Sequence, residues 1–187
     1  MKNYTTDNIV NFSLAGHASS GKTTFAESLA FCSGTINKAG TIESGSTISD
    51  YRKQETSHGH SIAMSLLNLE FLDKKINIID TPGYLDFLGE MKAGLAVTEV
   101  AGIVVNSTQG IEVGTEVAWE YSTDNNQSKF IVINMCDHEQ SNYNKVFSEL
   151  QNRFGRQVFA ITSPINEGAE IFNQVSDVLR KEILEFN

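Results

Sequence analysis

Apolar positions along the chain fall in short runs broken by turn residues, and their spacing switches repeatedly between strand-like and helix-like periods. The run Ile9-Val10-Asn11-Phe12-Ser13-Leu14-Ala15 reads as a first strand. A loop of small residues from Gly16 to Gly21 follows, then a helix from Lys22 to about Ser33 with Phe25, Leu29 and Ala30 on its apolar side. Strand, glycine-bearing loop and helix form the opening unit of an α/β fold. Residues 34–60 break the pattern, because Gly34, Gly40, Gly45 and Gly59 punctuate a polar stretch rich in Ser and Thr. A loop of that length inside a compact domain is usually functional or disordered.

Partial alternation at Ile62, Met64, Leu66 and Leu69 predicts a strand over 61–71, a turn at 73–75, and a short strand over 76–79 running into Asp80. Paired as a hairpin, these two give an otherwise parallel sheet one antiparallel edge strand. Beyond them the pattern predicts a helix over 89–98, a buried strand over 101–105, a helix over 112–121 and a strand over 130–133. A helix over 142–154 offers Tyr143, Val146, Phe147 and Leu150 to a core, a last strand spans 158–161, and an amphipathic final helix covers 169–185, with a break near Gln174 or Ser176. No internal repeat and no low-complexity tract interrupts this order. Helices alternating with strands imply one three-layer α/β domain over 1–187.

The length of 187 residues suits one ordinary domain, and 40% apolar residues suffice for its core. No stretch approaches the roughly 20 apolar residues that cross a bilayer, and the run at 9–14 is too short for a secretory segment. No membrane association and a cytoplasmic location are therefore expected. Cys32 and Cys136 match no metal-ligand spacing and read as two reduced thiols, with a disulfide as the alternative. His58 and His60 form a possible metal pair, but no third ligand is placed by pattern. A net charge of -9 argues against a general DNA or RNA binder and against direct sequence-specific DNA binding, while leaving room for docking by a small patch.

Three short motifs carry candidate chemistry. Gly16-His17-Ala18-Ser19-Ser20-Gly21-Lys22-Thr23 satisfies the phosphate-loop pattern and sits between a strand and a helix, as its mechanism requires. Its glycines let backbone N–H groups wrap phosphates, and the helix N-terminus adds a favourable field. Lys22 would reach the β and γ phosphates and Thr23 would offer its hydroxyl to Mg²⁺. Asp80-Thr81-Pro82-Gly83 follows an apolar strand, so that Asp80 can hold a Mg²⁺-bound water and the Gly83 amide can touch a γ-phosphate; a plain Pro-Gly turn is the competing reading. Asn134-Met135-Cys136-Asp137 follows the 130–133 strand. A carboxylate at Asp137 can accept from guanine N1 and N2, with Asn134 bracing the loop, whereas a helix N-cap at Asp137 competes with that role.

At these residues the chain resembles the translational GTPases, in particular the amino-terminal GTPase domain of elongation factor G-like proteins. Supporting segments are Gly16 to Thr24, Ser49-Asp50-Tyr51, Gly59-His60-Ser61-Ile62, Asp80 to Phe87, Gly110-Ile111-Glu112-Val113 with Glu116, and Pro164-Ile165-Asn166-Glu167-Gly168. The resemblance implies an α/β P-loop NTPase G domain, three-layered, with a mostly parallel central sheet and one antiparallel edge strand. It implies GTP and GDP as ligands, Mg²⁺ as cofactor, GTP hydrolysis as activity, the ribosome as partner, and a monomer. Switch loops are implied at about 34–61 and 80–92. Carried over, Gly16, His17, Ala18, Ser19, Ser20, Gly21, Lys22, Thr23 and Thr24 hold phosphate, with Thr23, Ser61 and Asp80 at the metal. Lys22, Gly83 and Tyr84 flank the reacting phosphate, and Asn134, Met135 and Asp137 read the base.

Three departures qualify the resemblance. Tyr84 stands where the family usually has a water-positioning histidine, and a phenol with a reference pKa near 10 is no base at neutral pH. Met135 replaces a lysine, and Ser19 replaces a common acidic loop residue. The segment Ile161-Thr162-Ser163-Pro164 marks a boundary, with about 165–187 expected as the start of an inserted subdomain and the final guanine-contacting loop expected outside the chain. Rival functions are a non-hydrolysing GTP-binding switch, the GTPase domain of a ribosomal protection protein, and a structural domain with a vestigial loop. Arg52 in the long loop, the 124–127 loop and Trp119 have ordinary surface or packing explanations.

Overall fold

In the computed structural model, residues 3–169 and 171–186 are described. The chain divides into two compact units, residues 1–104 with 113–132, and residues 105–112 with 133–187. Strand β1 (Ile9–Ala15) leads through the glycine loop into helix α1 (Lys22–Cys32), and the short helix α2 (Lys53–His58) lies within the long polar stretch. Then come β2 (Ser65–Phe71), β3 (Lys74–Asp80), α3 (Leu88–Ala96), β4 (Val100–Asn106), α4 (Val113–Asp124), β5 (Ser128–Asn134) and α5 (Tyr143–Phe154). Three further strands close the order, β6 (Thr162–Pro164), β7 (Gln174–Asp177) and β8 (Glu182–Glu185).

The main sheet runs β2-β3-β1-β4-β5, with β1 parallel to β3 and β4 and with β2 antiparallel on the edge. The expected mostly parallel sheet with one antiparallel edge strand is therefore present. Alternation along β1 assigns its two faces. Leu14 belongs to the cluster Leu14, Ala26, Ala30, Leu67, Leu69, Ile78 and Val104, which packs the sheet against α1. Ser13 points to the opposite face, where its hydroxyl donates to the Gly94 carbonyl of α3 at 2.7 Å and lies 3.0 Å from the Thr98 hydroxyl. Helix, sheet and helix make three layers in the first unit.

The β2–β3 hairpin turns one residue earlier than the spacing predicts. Leu72 and Asp73 take φ of 47° and 58°, and Phe71 pairs with Lys74 across them. Two consecutive left-handed residues give the turn whose twist matches the flanking strands, so pairing outweighs the side-chain preference at Leu72. The same strand begins at Ser65 rather than at 61, because the 61–64 backbone is engaged elsewhere, as described below.

Two expectations in the second unit are corrected. The stretch 158–161 is not a strand, and pairing starts only at Thr162, opposite Asp177. The predicted helix over 169–185 is instead the β7–β8 hairpin, with Gln174 opposite Glu185 and Asp177 opposite Glu182; Glu170, inside that prediction, lies outside the described residues. Turn chemistry decides the outcome. The Asp177 carboxylate accepts from the Leu179 and Arg180 amides at 3.0 and 2.9 Å, which fixes a tight turn where a helix would need a continuous ladder. Helix α5 matches its prediction, capped by the Asn142 side chain on the Lys145 amide at 3.0 Å and burying Tyr143, Val146, Leu150 and Phe154.

Candidate functional site

The loop between β1 and α1 adopts the backbone that its residues were expected to permit. Gly16 and Gly21 have φ of 135° and 86°, and Ser19 also takes a left-handed φ of 60°. A methyl at Gly16 would overlap the Val104 carbonyl, so only glycine lets the loop leave the sheet there. Gly21 caps α1 without a side-chain hydrogen bond, and the first turn of α1 holds no acidic residue. Its leading amides are thus not engaged by a cap, which is the arrangement an anion needs at a helix N-terminus. Lys22 is buried, and its ammonium folds back over the loop to donate to the His17 carbonyl at 2.7 Å. His17 in turn accepts the Gly114 amide of α4 at 3.3 Å. Thr24, one residue beyond the hydroxyl expected at the metal, faces solvent.

Asp80, at the end of β3, meets this loop. Its Oδ2 accepts the Thr23 hydroxyl at 2.7 Å, and the Ser61 hydroxyl lies 3.3 Å from the same Thr23 oxygen. Burial pushes the Asp80 carboxyl up to about 6, against the pull of the Thr23 hydrogen bond and the Lys22 charge, with Asp50 adding repulsion. Asp80 Oδ1 and Asp50 Oδ1 are both buried without a hydrogen-bond partner. Burial also raises the Asp50 carboxyl, with Ser61 as its main offset. Two desolvated carboxylates with orphaned oxygens, beside two hydroxyls, fit a hard divalent cation, and one or two carboxylates plus phosphate oxygens are what Mg²⁺ takes. Thr23, Ser61 and Asp80 are thus brought together as expected. Asp50 was missed as a ligand candidate, because nothing in a Ser-Asp-Tyr stretch says that its carboxylate turns inward.

The long polar stretch at 34–60 is not a free loop. Glu27 of α1 is 2% exposed and accepts the Gly40 amide at 2.7 Å and the Ile48 amide at 2.9 Å. Glu55 of α2 is 1% exposed and accepts from the Arg52, Ile62 and Ala63 amides at 3.2, 3.1 and 3.2 Å. Glu90 of α3 accepts the Met64 amide at 2.9 Å. These carboxylates hold both ends of the segment and set the backbone on either side of Ser61. Periodicity could not reveal them, since Glu27 and Glu90 act on amides 13 to 26 residues away and Glu55 on amides beyond the end of its own helix. Replacing Glu55 by Gln turns one acceptor oxygen into a donor facing amide donors, a loss of about 2 kcal/mol for a charge-assisted bond. Amide exchange at Ile62 and Ala63 is expected to accelerate roughly tenfold or more, read by hydrogen exchange, while amides of β1 keep their protection.

Gly83 approaches the phosphate loop closely. A methyl there would fall 2.7 Å from both the Ala18 nitrogen and the His17 oxygen, and onto the Lys22 ammonium. Tyr84 follows, 43% exposed, with its ring against that of His60 at a centroid distance of 4.6 Å.

In the second unit, Asn134 ends β5, Met135 follows it, and Asp137 is exposed. Met135 takes a left-handed φ of 62°, an uncommon conformation for its side chain. Ser107 stabilises it, its amide donating to the Asn134 carbonyl at 2.9 Å and its hydroxyl to the Met135 carbonyl at 2.8 Å. The Gly168 amide donates to the Cys136 carbonyl at 2.9 Å, and Glu167 accepts the Tyr143 amide at 2.6 Å. The loop is thus pinned from two sides, with the Asp137 carboxylate left at the surface. Burial pushes the Cys136 thiol up to about 11, so it stays protonated; Cys32 is exposed, and both are free thiols. Among the described residues no helix is long and apolar enough to cross a membrane.

Known proteins resemble this chain at the levels of family, sequence and structure. The family model described as the elongation factor Tu GTP binding domain matches residues 7–183. An elongation factor G-like protein of Thermotoga maritima is 33% identical over 96% of this chain and 26% of its own length. Elongation factor G of Mycoplasma pneumoniae is 31% identical over 96% of this chain and 26% of its own length. A crystal structure of a Thermus thermophilus protein superposes with a TM-score of 0.90 at 28% identity, covering 96% of this chain and 27% of that one. The chain thus spans about a quarter of the length of these curated relatives.

Proposed function

Because this chain belongs to the family of the elongation factor Tu GTP-binding domain, as an elongation factor G-like translational GTPase domain, we propose that it binds GTP with Mg²⁺ and hydrolyses it in the service of a ribosomal factor. The observation that carries the reading is the Thr23–Asp80 contact of 2.7 Å at a helix N-terminus whose N-cap is a glycine, with Asp80 Oδ1 buried and unpartnered. A hydroxyl and a desolvated carboxylate meeting beside a phosphate-type loop suit a nucleotide–metal pair better than any structural role, since an ionised buried carboxylate otherwise destabilises the fold.

In this reading the amides of Gly16 to Thr24 and the Lys22 ammonium hold the β and γ phosphates, and Thr23, Ser61 and Asp80 hold the metal, with Asp50 behind them. Bound there, Mg²⁺ would draw charge from the phosphate oxygens as it develops. The Gly83 amide contacts the γ-phosphate, and Tyr84 stands beside the attacking water. Asn134, Met135 and Asp137 read guanine. The segment 165–187, which carries strands β7 and β8 of the second antiparallel sheet, belongs to the start of an inserted subdomain. The ribosome supplies the order that makes hydrolysis fast.

Turnover of GTP by the protein, with and without ribosomes and with binding measured separately, tests the proposal. Ribosome-stimulated phosphate release is the expected result. Tight guanine-nucleotide binding without any turnover would favour the rival reading of a non-hydrolysing switch, for which Tyr84 is the supporting residue. Absence of binding would remove both.

Base reading has its own test. Substituting Asp137 by Ala removes the acceptor for guanine N1 and N2, a penalty of about 1–3 kcal/mol per unpaired group. GDP affinity is expected to fall roughly tenfold to a hundredfold by competition binding. The preference for GDP over inosine diphosphate, which lacks the 2-amino group, is expected to vanish. An unchanged preference would remove Asp137 from the base site.

A further inference from the structure

We propose that His60 supplies the hydrogen-bond acceptor that orients the attacking water, with Tyr84 as the surface on which its ring rests. The inference deepens the GTPase reading above and rests on it. His60 and Tyr84 come from segments well apart in the chain, yet their rings meet at 4.6 Å, with Phe87 behind at 6.2 Å. Both rings adjoin residues that touch the phosphate loop. Ser61, next to His60, has its hydroxyl 3.3 Å from that of Thr23, and Gly83, next to Tyr84, abuts the Ala18 amide and Lys22. The pair therefore lies beside the place assigned to the terminal phosphate, and Tyr84 is exposed enough for a ligand to reach it.

The hydrogen bonding of His60 selects what it can offer. Its Nδ1 lies 3.3 Å from the Ser61 carbonyl oxygen. A carbonyl only accepts, so Nδ1 carries the proton, and in the neutral ring Nε2 presents a lone pair and no hydrogen. Such an atom can take one hydrogen bond from a water and leave the water's own lone pair directed at phosphorus. A phenol has a proton that competes for that lone pair. In the hydrolysis itself, the water oxygen bonds to the γ-phosphorus. The bond from phosphorus to the bridging oxygen breaks, with its electron pair going to GDP. The water proton ends on the released phosphate, so His60 returns to its starting form without a net change of charge.

The test separates acceptor from packing surface. His60→Phe keeps a flat ring on Tyr84 and deletes the acceptor, whereas His60→Gln keeps a polar acceptor without the ring. Binding of a fluorescent GDP with Mg²⁺ is measured with and without aluminium fluoride, which imitates the transferring phosphoryl group. Single-turnover GTP hydrolysis is followed alongside, with and without ribosomes. For His60→Phe we expect GDP affinity within about twofold of the unmodified chain, the gain in affinity from aluminium fluoride cut at least tenfold, roughly, and hydrolysis reduced by about the same factor. His60→Gln should recover part of both. If His60→Phe matches the unmodified chain in both readouts, the ring only packs and the inference is overturned while the GTPase reading stands. If the unmodified chain binds GDP but shows neither hydrolysis nor any response to aluminium fluoride, the GTPase reading fails and takes this inference with it.

Discussion

Asp80→Asn is expected to make the nucleotide-free chain more stable at pH 8 and to remove most of the effect of Mg²⁺ on nucleotide affinity. The carboxyl is 1% exposed, and burial raises it from 3.8 to about 6 despite the Thr23 bond and Lys22. The sign follows from linkage. Between about pH 4 and pH 6 the folded chain holds a proton that the unfolded chain has lost, so stability declines as pH rises through that window. Above it the full penalty persists, about 3 kcal/mol at one pKa unit per 1.36 kcal/mol. Asparagine keeps an oxygen for the Thr23 hydroxyl and carries no charge, and its amide can donate toward Asp50. Thermal unfolding without nucleotide should show a midpoint raised by several degrees at pH 8. The gain should be much smaller near pH 4. The same substitution removes the charged group proposed to hold the cation, and the Mg²⁺-dependent gain in GTP affinity should fall by about a hundredfold or more. Lower stability of Asp80→Asn at pH 8 would show that the carboxylate is satisfied within the protein and needs no cation.

Gly83→Ala is expected to separate the two nucleotides. The added methyl would have to occupy space already filled by the Lys22 ammonium, the Ala18 nitrogen and the His17 oxygen. Two of these are backbone atoms of the phosphate loop, held by the sheet on one side and α1 on the other, so they cannot give way as a flexible side chain would. The 83–87 segment must instead retreat. Contacts to a γ-phosphate are lost while those of Gly16 to Thr24 to the remaining phosphates stay. GDP affinity should change by no more than about threefold, whereas hydrolysis should drop by about a hundredfold or more, as for loss of one preorganised amide donor. Equal losses for GTP and GDP would mean that the methyl distorts the phosphate loop itself.

A large part of this could be read from local pattern. The strand–loop–helix unit at 9–33, the hairpin edge and the roles suggested for Gly16, Lys22, Thr23, Asp80 and Gly83 all follow from residues close together in the chain. Their backbone demands are written next to them: a glycine where φ must be positive, an apolar run ending in an acid, an asparagine before an amphipathic helix. Family resemblance added Ser61, Tyr84 and Met135, and the match over 7–183 supports the same family.

The remainder depends on where distant segments meet. The stretch at 34–60 reads as a loop because its polar residues carry no period, yet Glu27, Glu55 and Glu90 order it and the residues that follow it through backbone amides that any sequence would possess. Asp50 joins the candidate site only because the fold buries its carboxyl within electrostatic reach of Asp80, in one low-dielectric space. The helix predicted over 169–185 became a hairpin because the Asp177 side chain competed with the helical ladder and partner strands were available on both sides of β7. The contact between His60 and Tyr84 likewise has no signature in either segment alone. Sequence determined which groups are candidates for holding phosphate and a cation, since those needs are local. Only the tertiary structure decided which carboxylates are desolvated and which rings touch, because burial and proximity belong to pairs of segments and not to any one of them.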